Sequence, residues 1–404
     1  MILTSWLKSA VLSGVNGLND LLGGPQPFSR ARIVDPTPSA AGLDDASRLA
    51  AIADSAELEL AGFVSNGAFA QSEPNDMGDM GIWQGIYTAM TVLRWQKSKT
   101  IEAQTSMQAA AAAMACYFYK GQVVRGALPT ALQGTLFHVD STQAAQYFID
   151  GEYTYREDAS LDSMLGLMYG AAIVNRFGDD VSKASLSAPL SAFSAAFTKA
   201  GFNITNRDGS VTTYGACTPG FLQAPVRTLA AMLPSMVIRG NDWLELAKSF
   251  APELATTDTQ VPGNISYVNA HLAILANLTW LTAGHEGLVG YTEAVAGLRS
   301  LLGKYSDAGN AFLIYGCAAI GIAPTADQMA KAAKVLIEFP VGPKPQTSYN
   351  TSTAPSLQPV PVWQRPPVDV VWQRSPYTYS GSDSTSYNRM DFLLAYYLSL
   401  ICTP

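Results

Sequence analysis

Two short segments of the sequence place carboxylates where a helix is expected to begin. The first, residues 75–87, reads NDMGDMGIWQGIY and contains Asp76 and Asp79. Asp79, Trp83 and Tyr87 recur every four residues, so they would share one face of a helix. Asp is also a preferred helix N-cap, which would explain one aspartate without any chemistry. A cap and an acid–base site both stay open for this segment.

The second segment, residues 153–166, reads YTYREDASLDSMLG. Asp158 and Asp162 are four residues apart and would lie on one helix face. A carboxylate close to a second carboxylate has its pKa raised, whereas a neighbouring Arg156 lowers it, and this is how one site keeps one acid protonated and another ionised. Asp158 or Ser160 would alternatively cap the helix. Because the helix is otherwise apolar, an unpaired buried Asp would be costly, which favours a functional role.

A third set of residues near the C-terminus combines aromatic and basic side chains. Two phrases, VWQRP at 362–366 and VWQRSP at 371–376, are near-duplicates that would place two Trp–Arg pairs along one groove. Aromatic rings beside arginines suit sugars that carry carboxylates, although packing of a loop is the alternative. The set comprises Arg365, Trp372, Arg374, Tyr377, Tyr387, Arg389 and Asp391.

Other catalytic chemistries lack their motifs. The sequence has no HExxH, no GxSxG, no P-loop and no GxGxxG between a strand and a helix. The four cysteines, at 116, 217, 317 and 402, lack the spacing of zinc ligands. Of the three histidines, His271 lies in an apolar helical segment and could face the axis of a helical ring. We therefore expect neither a metal nor a cofactor.

The elements that must position these residues are mainly helical. Apolar residues recur at helical spacing, Asp44 marks one helix start, and Thr325 begins a capping box. Strand-like segments are limited to 122–128 and 209–214. The pattern excludes a doubly wound α/β fold and predicts an all-α chain of antiparallel helix pairs, arranged as an (α/α)6-type toroid or as a solenoid. Helices are expected near 3–22, 44–66, 79–97, 102–119, 159–177, 184–200, 224–236, 241–250, 264–283, 286–304, 308–320, 325–338 and 388–402.

The chain is expected to divide into an N-terminal part and one large domain. Residues 1–40 would form an amphipathic helix and a linker, and this helix would pack on the domain or on a partner chain. Residues 41–404 would form the toroid, with 339–387 as a long ordered loop rich in Pro and aromatic residues that helps to wall the cleft. No segment reaches the length of apolar sequence needed to span a membrane.

Composition narrows the class of partner. The 404 residues carry a net charge of −7, and only 14% of them are charged. Because no basic run or stripe is present, nucleic-acid binding is not expected. A weakly charged surface is typical of secreted and virion proteins, so an extracellular, periplasmic or virion-associated location is favoured.

The order of these features resembles the carbohydrate-active enzymes built on an α/α toroid, such as unsaturated glucuronyl hydrolases and toroid polysaccharide lyases. The resemblance rests on Asp79 with Trp83, on Arg156 with Asp158 and Asp162, and on helix pairs over most of 44–404. It implies two carboxylates acting as acid and base across a central cleft with aromatic platforms. The lyases of this group instead use Tyr, His, Asn and Arg, for which Tyr267, His271, Asn264 and Arg156 are the candidates.

The sequence thus predicts an enzyme that cleaves glycosidic bonds of an oligo- or polysaccharide, with Asp79, Asp158 and Asp162 as catalytic candidates. One alternative is a glycan-binding or structural assembly protein, for example of a virion or appendage, that keeps the fold without catalysis. A second alternative is a polysaccharide lyase. The candidates for substrate binding are Asp76, Trp83, Tyr87, Arg125, Arg156, His271, Trp372, Arg374 and Tyr377.

Overall fold

The computed structural model describes residues 44–70, 72–73, 76–217, 232–233, 237, 267–284, 290–342, 358–365, 370–377 and 386–402. The helices expected at 3–22 and 241–250, most of the helix at 224–236, and parts of the loop at 339–387 lie outside these residues. The α-helices of the described part are α1 (Asp45–Leu60), α2 (Met80–Ser98), α3 (Ile101–Ala115), α4 (Leu161–Phe177), α5 (Asp180–Lys199), α6 (Tyr267–Ala283), α7 (Tyr291–Tyr305), α8 (Ala311–Ala319), α9 (Ala326–Ile337) and α10 (Met390–Cys402).

Several helices begin where polar side chains satisfy free backbone N–H groups. The carboxylate of Asp44 accepts from Ser47 N at 2.8 Å at the start of α1. At α9, Thr325 and Gln328 exchange side-chain and backbone hydrogen bonds, so the predicted capping box is confirmed. Each such cap typically stabilises a helix by about 1 kcal/mol.

Helices α2 and α4 run in the same direction and touch through glycines. A Cβ atom on Gly81 would lie 2.9 Å from the Cβ of Ser163, near the start of both helices. One turn later, a Cβ on Gly85 would overlap the carbonyl oxygen of Gly166, and one on Gly170 would overlap that of Gly85. The two backbones are therefore in direct contact, and the N-termini of the two helices lie at the same end.

The opposite ends of five helices meet around a small apolar cavity of about 10 Å³, large enough for roughly one water. Each helix contributes residues from its C-terminal half, so these five C-terminal halves lie together. Helices α1, α3, α5, α7 and α9 alternate with them along the chain. The cavity-lining residues are Leu93 of α2, Tyr169, Ile173 and Phe177 of α4, Leu278 and Thr282 of α6, Gly316 and Ala319 of α8 with the following Ile320, and Leu398 and Ile401 of α10.

The described part of the chain is mainly helical, as the sequence predicts, and small sheets of short strands accompany the helices. The predicted strand-like segments at 122–128 and 209–214 overlap two of these strands. The strands are so short that an alternation of apolar and polar residues is hard to recognise in the sequence. Within the described residues the sheets pair β1 with β2, β3 with β9, β6 with both β4 and β5, and β7 with β8, all antiparallel. The strands are β1 (Val64–Ser65), β2 (Ala68–Phe69), β3 (Ser72–Glu73), β4 (Gly126–Pro129), β5 (Tyr147–Asp150), β6 (Tyr153–Arg156), β7 (Asn203–Thr205), β8 (Val211–Ala216) and β9 (Ser386–Tyr387).

The described parts of the 339–387 loop are folded against the helices. The two repeated phrases form matching 3-10 turns, Val362–Gln364 and Val371–Gln373. The N–H of Val371 donates to the Asp391 carboxylate at 3.0 Å, at the start of α10. In the part of the chain that the structure describes, no helix is both long and apolar enough to cross a membrane.

Candidate functional site

Asp79 lies at the N-cap position of α2, but its side chain accepts no capping hydrogen bond. The side chain is 59% exposed, and its Oδ1 lies 3.6 Å from the Nη2 atom of Arg125. The N-cap interpretation of this aspartate therefore lacks its hydrogen bond. What Asp79 presents instead is a solvent-accessible carboxylate beside a guanidinium.

Arg125 connects the start of α2 to the start of α4. Its Nε donates to the carbonyl of Gly78, and its Nη1 donates to the carbonyl of Asp158 at 3.2 Å. Its own carbonyl accepts from Gly81 N at 2.9 Å. Because these bonds use backbone partners on both sides, the guanidinium is fixed between the two helix starts.

Asp162 lies in the first turn of α4 and is half-buried. Ser160 is the residue that caps this helix, since its Oγ accepts from Ser163 N at 3.3 Å. Burial raises the pKa of the Asp162 carboxyl, the charge of Asp79 raises it further, and Arg125 opposes the rise. Asp162 and Asp79 are thus close enough to interact electrostatically, next to the same arginine.

Asp158 serves a different purpose from Asp162. Its backbone has a positive φ of 61°, which a non-glycine residue rarely adopts. Its Oδ1 accepts from Thr213 N at 2.6 Å, and its own N–H donates to Asn206 Oδ1 at 3.0 Å. The carboxylate therefore fixes the β7–β8 hairpin beside the start of α4.

Asp76 and Arg156 form an ion pair with 3.0 Å between Nη1 and Oδ2, and the Arg156 side chain is only 4% exposed. Arg156 also donates to the Asp76 carbonyl at 2.7 Å and to the side chains of Gln143 and Gln146. Tyr147 OH donates to the same Asp76 carbonyl at 2.6 Å. These bonds hold the turn that leads to Asp79, and they leave Arg156 enclosed by protein.

The aromatic residues that follow Asp79 on the helix lie in the core. The ring of Tyr87 stacks on Phe69 with 5.2 Å between centroids. Burial raises the pKa of Tyr87 to about 12. Trp83 is buried as well. The shared face of Asp79, Trp83 and Tyr87 thus runs from the surface at Asp79 into the interior.

The remaining substrate-binding candidates do not join this cluster in any contact that the structure describes. Trp372 is buried against Phe339, and its Nε1 donates to the Asp391 carbonyl at 2.9 Å. Arg374 is exposed and Tyr377 is half-buried on the same loop. His271 is buried, its ring packs on Phe312, and burial lowers its pKa to about 3.

Two features of the site were not predicted from the sequence. The glycine contacts could have been recognised from the G-x-x-x-G spacing of Gly81 with Gly85 and of Gly166 with Gly170, which permits close backbone approach. Tyr214, on the hairpin that Asp158 holds, carries an aromatic side chain that is 65% exposed. A lone Tyr in a short strand has no sequence signature, so only the fold reveals it.

The cluster of Asp79, Arg125 and Asp162 is suited to moving protons between carboxyl groups and a bound substrate. Among the described residues, no group of three or more His, Cys, Asp or Glu side chains could hold a metal ion. Comparison with protein-family models, with curated proteins and with solved structures found no match for this chain.

Proposed function

We propose that this protein is a glycoside hydrolase in which Asp162 is the general acid and Asp79 is the general base or nucleophile. The supporting observation is the meeting of these two carboxyl groups at one open end of α2 and α4, next to Arg125. Acid–base cleavage of a glycosidic bond needs two carboxyl groups in different protonation states. Burial of Asp162 and exposure of Asp79 provide that difference.

In this mechanism Asp162 gives its proton to the glycosidic oxygen as the bond to the anomeric carbon breaks. Asp79, exposed beside Arg125, either removes a proton from the attacking water or attacks the anomeric carbon itself. On the second route, water then hydrolyses the glycosyl–Asp79 ester, and Asp162 takes the proton of that water. The first route inverts the configuration and suits carboxyl groups roughly 6.5–9.5 Å apart, whereas the second retains it at about 5–5.5 Å.

The proposal includes an α/α toroid as the scaffold. Five helices whose C-terminal halves meet at a common cavity, each alternating along the chain with another helix, support it. Met232, Leu233 and Val237 are buried, and Asn175 of α4 donates to the Val237 carbonyl.

The contacts and burial of the candidate lyase residues favour hydrolysis over a lyase reaction. A lyase needs a cation for the uronate group of its substrate, but the described donors of Arg156 are directed at protein acceptors. His271, the candidate base, is only 1% exposed. Asn264 lies outside the described residues.

The test is turnover on a panel of soluble polysaccharides and oligosaccharides, followed by product analysis. We expect release of reducing ends by the wild-type chain, and a loss of at least about 100-fold in Asp79→Asn and Asp162→Asn. Asp180→Asn is the matched control, because Asp180 is also an exposed acid in a first helical turn, that of α5. The anomeric configuration of the first product, measured by NMR, assigns the role of Asp79.

Two results would contradict this function. Unchanged turnover in Asp79→Asn on a substrate that the wild-type chain cleaves would remove the acid–base pair from the mechanism. Binding of a glycan without any cleavage would instead support a glycan-binding or assembly protein on the same scaffold.

A further inference from the structure

The β7–β8 hairpin is fixed to the segment that leads into α4. Thr212 Oγ1 donates to the Ala159 carbonyl at 2.7 Å, and Thr213 N donates to Asp158 Oδ1 at 2.6 Å. At the hairpin turn, Arg207 N donates to Glu157 Oε1 at 2.8 Å. These contacts attach the hairpin to three consecutive residues, 157–159, just before the helix that carries Asp162.

Tyr214 follows Thr213 directly on this hairpin, and its side chain is 65% exposed. The other exposed large apolar side chains of the described residues are aliphatic, namely Leu58, Ile101, Ile149, Val181 and Val211. An exposed aromatic ring on a fixed strand presents an apolar face with a polar hydroxyl, which is the chemistry that recognises sugar rings. Because these contacts already hold the hairpin in place, little conformational entropy is lost when a ligand binds.

The hairpin is linked to the acid pair through one residue. The carboxylate of Asp158 holds Thr213, while the carbonyl of Asp158 accepts from Arg125 Nη1 at 3.2 Å. Arg125 in turn lies beside Asp79. The chain of contacts therefore runs from the residue next to Tyr214 to the proposed catalytic carboxylate with two residues between them.

We infer that Tyr214 is a substrate-binding residue that stacks on a pyranose ring adjacent to the bond that Asp79 and Asp162 act on. This inference rests on the proposed function for the position of the subsite. It concerns glycan binding, so it can be measured apart from catalysis. The hairpin then forms one wall of the glycan site.

The experiment measures the retardation of the full-length protein in native gels that contain hydroxyethyl cellulose, galactomannan or polygalacturonate. We expect the Asp162→Asn variant to be retarded in at least one gel, and Tyr214→Ala in the same background to bind about 10-fold more weakly. Tyr214→Phe and Tyr214→Trp keep the ring and should retain the retardation. Ile101→Ala is the control, since Ile101 is similarly exposed and begins α3, beyond the far end of α2 from Asp79.

The inference is overturned if Tyr214→Ala binds as tightly as its parent, or if no polysaccharide retards the protein. It is supported if binding falls in Tyr214→Ala, its melting temperature is unchanged, and Tyr214→Phe restores binding. Failure of the proposed function would give a different result from failure of this inference. The wild-type chain would then bind a glycan through Tyr214 without releasing reducing ends. Conversely, cleavage that needs Asp79 and Asp162 but is indifferent to Tyr214→Ala would leave the function standing and remove this subsite.

Discussion

The two ends of helices α2 and α4 are built from different chemistry. At their N-terminal ends lie the exposed Asp79, the half-buried Asp162 and the connecting Arg125. At their C-terminal ends, Leu93 and Phe177 close the structure around an apolar cavity with residues of three other helices. Positive helix ends favour carboxylates, whereas burial favours aliphatic and aromatic residues. One helix pair thus carries a polar site at one end and a stabilising core at the other.

The largest effect is expected from the glycine contact between α2 and α4, because both ends of this helix pair depend on it. Gly85→Leu should prevent folding or destabilise the protein by more than about 4 kcal/mol, because the added side chain overlaps the Gly166 carbonyl. Circular dichroism and thermal melting measure the change. The matched control is Gly303→Ala in α7, where a Cβ meets no atom within 4 Å, and where we expect a gain of about 0.5–1 kcal/mol. A normally melting Gly85→Leu would disprove the close backbone contact.

At the apolar end, Leu278→Ala should lower stability by about 2–5 kcal/mol, since it enlarges a cavity that its neighbours line. The free energy of unfolding from urea titration is the measurement. Any folded fraction should keep its turnover, because the cavity lies at the other end of the helices. Leu58→Ala, at a side chain that is 79% exposed, should change stability by less than about 0.5 kcal/mol.

His271, which is buried in α6, should make the stability of the protein sensitive to acid. Its pKa is about 3 in the folded chain and 6.5 in the unfolded chain, so the unfolded chain binds more protons between these values. Stability is then complete above pH 6.5 and falls as the pH is lowered, by about 3 kcal/mol at pH 4. His271→Leu should flatten this part of the stability profile, whereas His138→Asn, at an exposed site, should leave it unchanged. Equal pH profiles for all three chains would refute this role.

At the N-terminal ends of α2 and α4, Asp162→Asn should abolish turnover. The stability of this variant at neutral pH should equal that of the wild-type chain or exceed it by about 0.5–1 kcal/mol. The folded chain holds the Asp162 proton more tightly than the unfolded chain, because burial and Asp79 raise its pKa. Its ionisation therefore costs stability as the pH rises through the pKa of the unfolded chain. Thermal melting at pH 7 measures the change, and a clear loss of stability would show that the carboxylate is structural.

The sequence patterns predicted the positions of the helices far better than which of their faces meet the core and which meet a cleft. Helix starts at Asp44 and Thr325 were correctly predicted, because capping depends on neighbouring residues. The four-residue spacing placed Asp79, Trp83 and Tyr87 on one face, but not whether that face meets a cleft or the core. On a helix surrounded by other elements, apolar residues occur on all sides and the periodicity no longer points inwards.

The repeated VWQR phrases show the same limit. Both form 3-10 turns, as identical local sequences would suggest. In the first, Arg365 is buried and Trp363 is half-buried, whereas in the second Trp372 is buried and Arg374 is exposed. The two turns have different distant partners: Val362 N donates to the Glu338 carboxylate, whereas Val371 N donates to the Asp391 carboxylate. Such partners are far apart in the chain and leave no local pattern.

The glycine contact between α2 and α4 has a mechanical consequence. Since the two backbones touch with no side chains between them, these helices have little room to slide or hinge past each other. The starts of the two helices, and the carboxylates they carry, therefore keep a nearly constant separation during thermal motion. Under the proposed function, adjustment to a bound chain of sugars would then come from side-chain rotations at the site and not from a change in the spacing of α2 and α4.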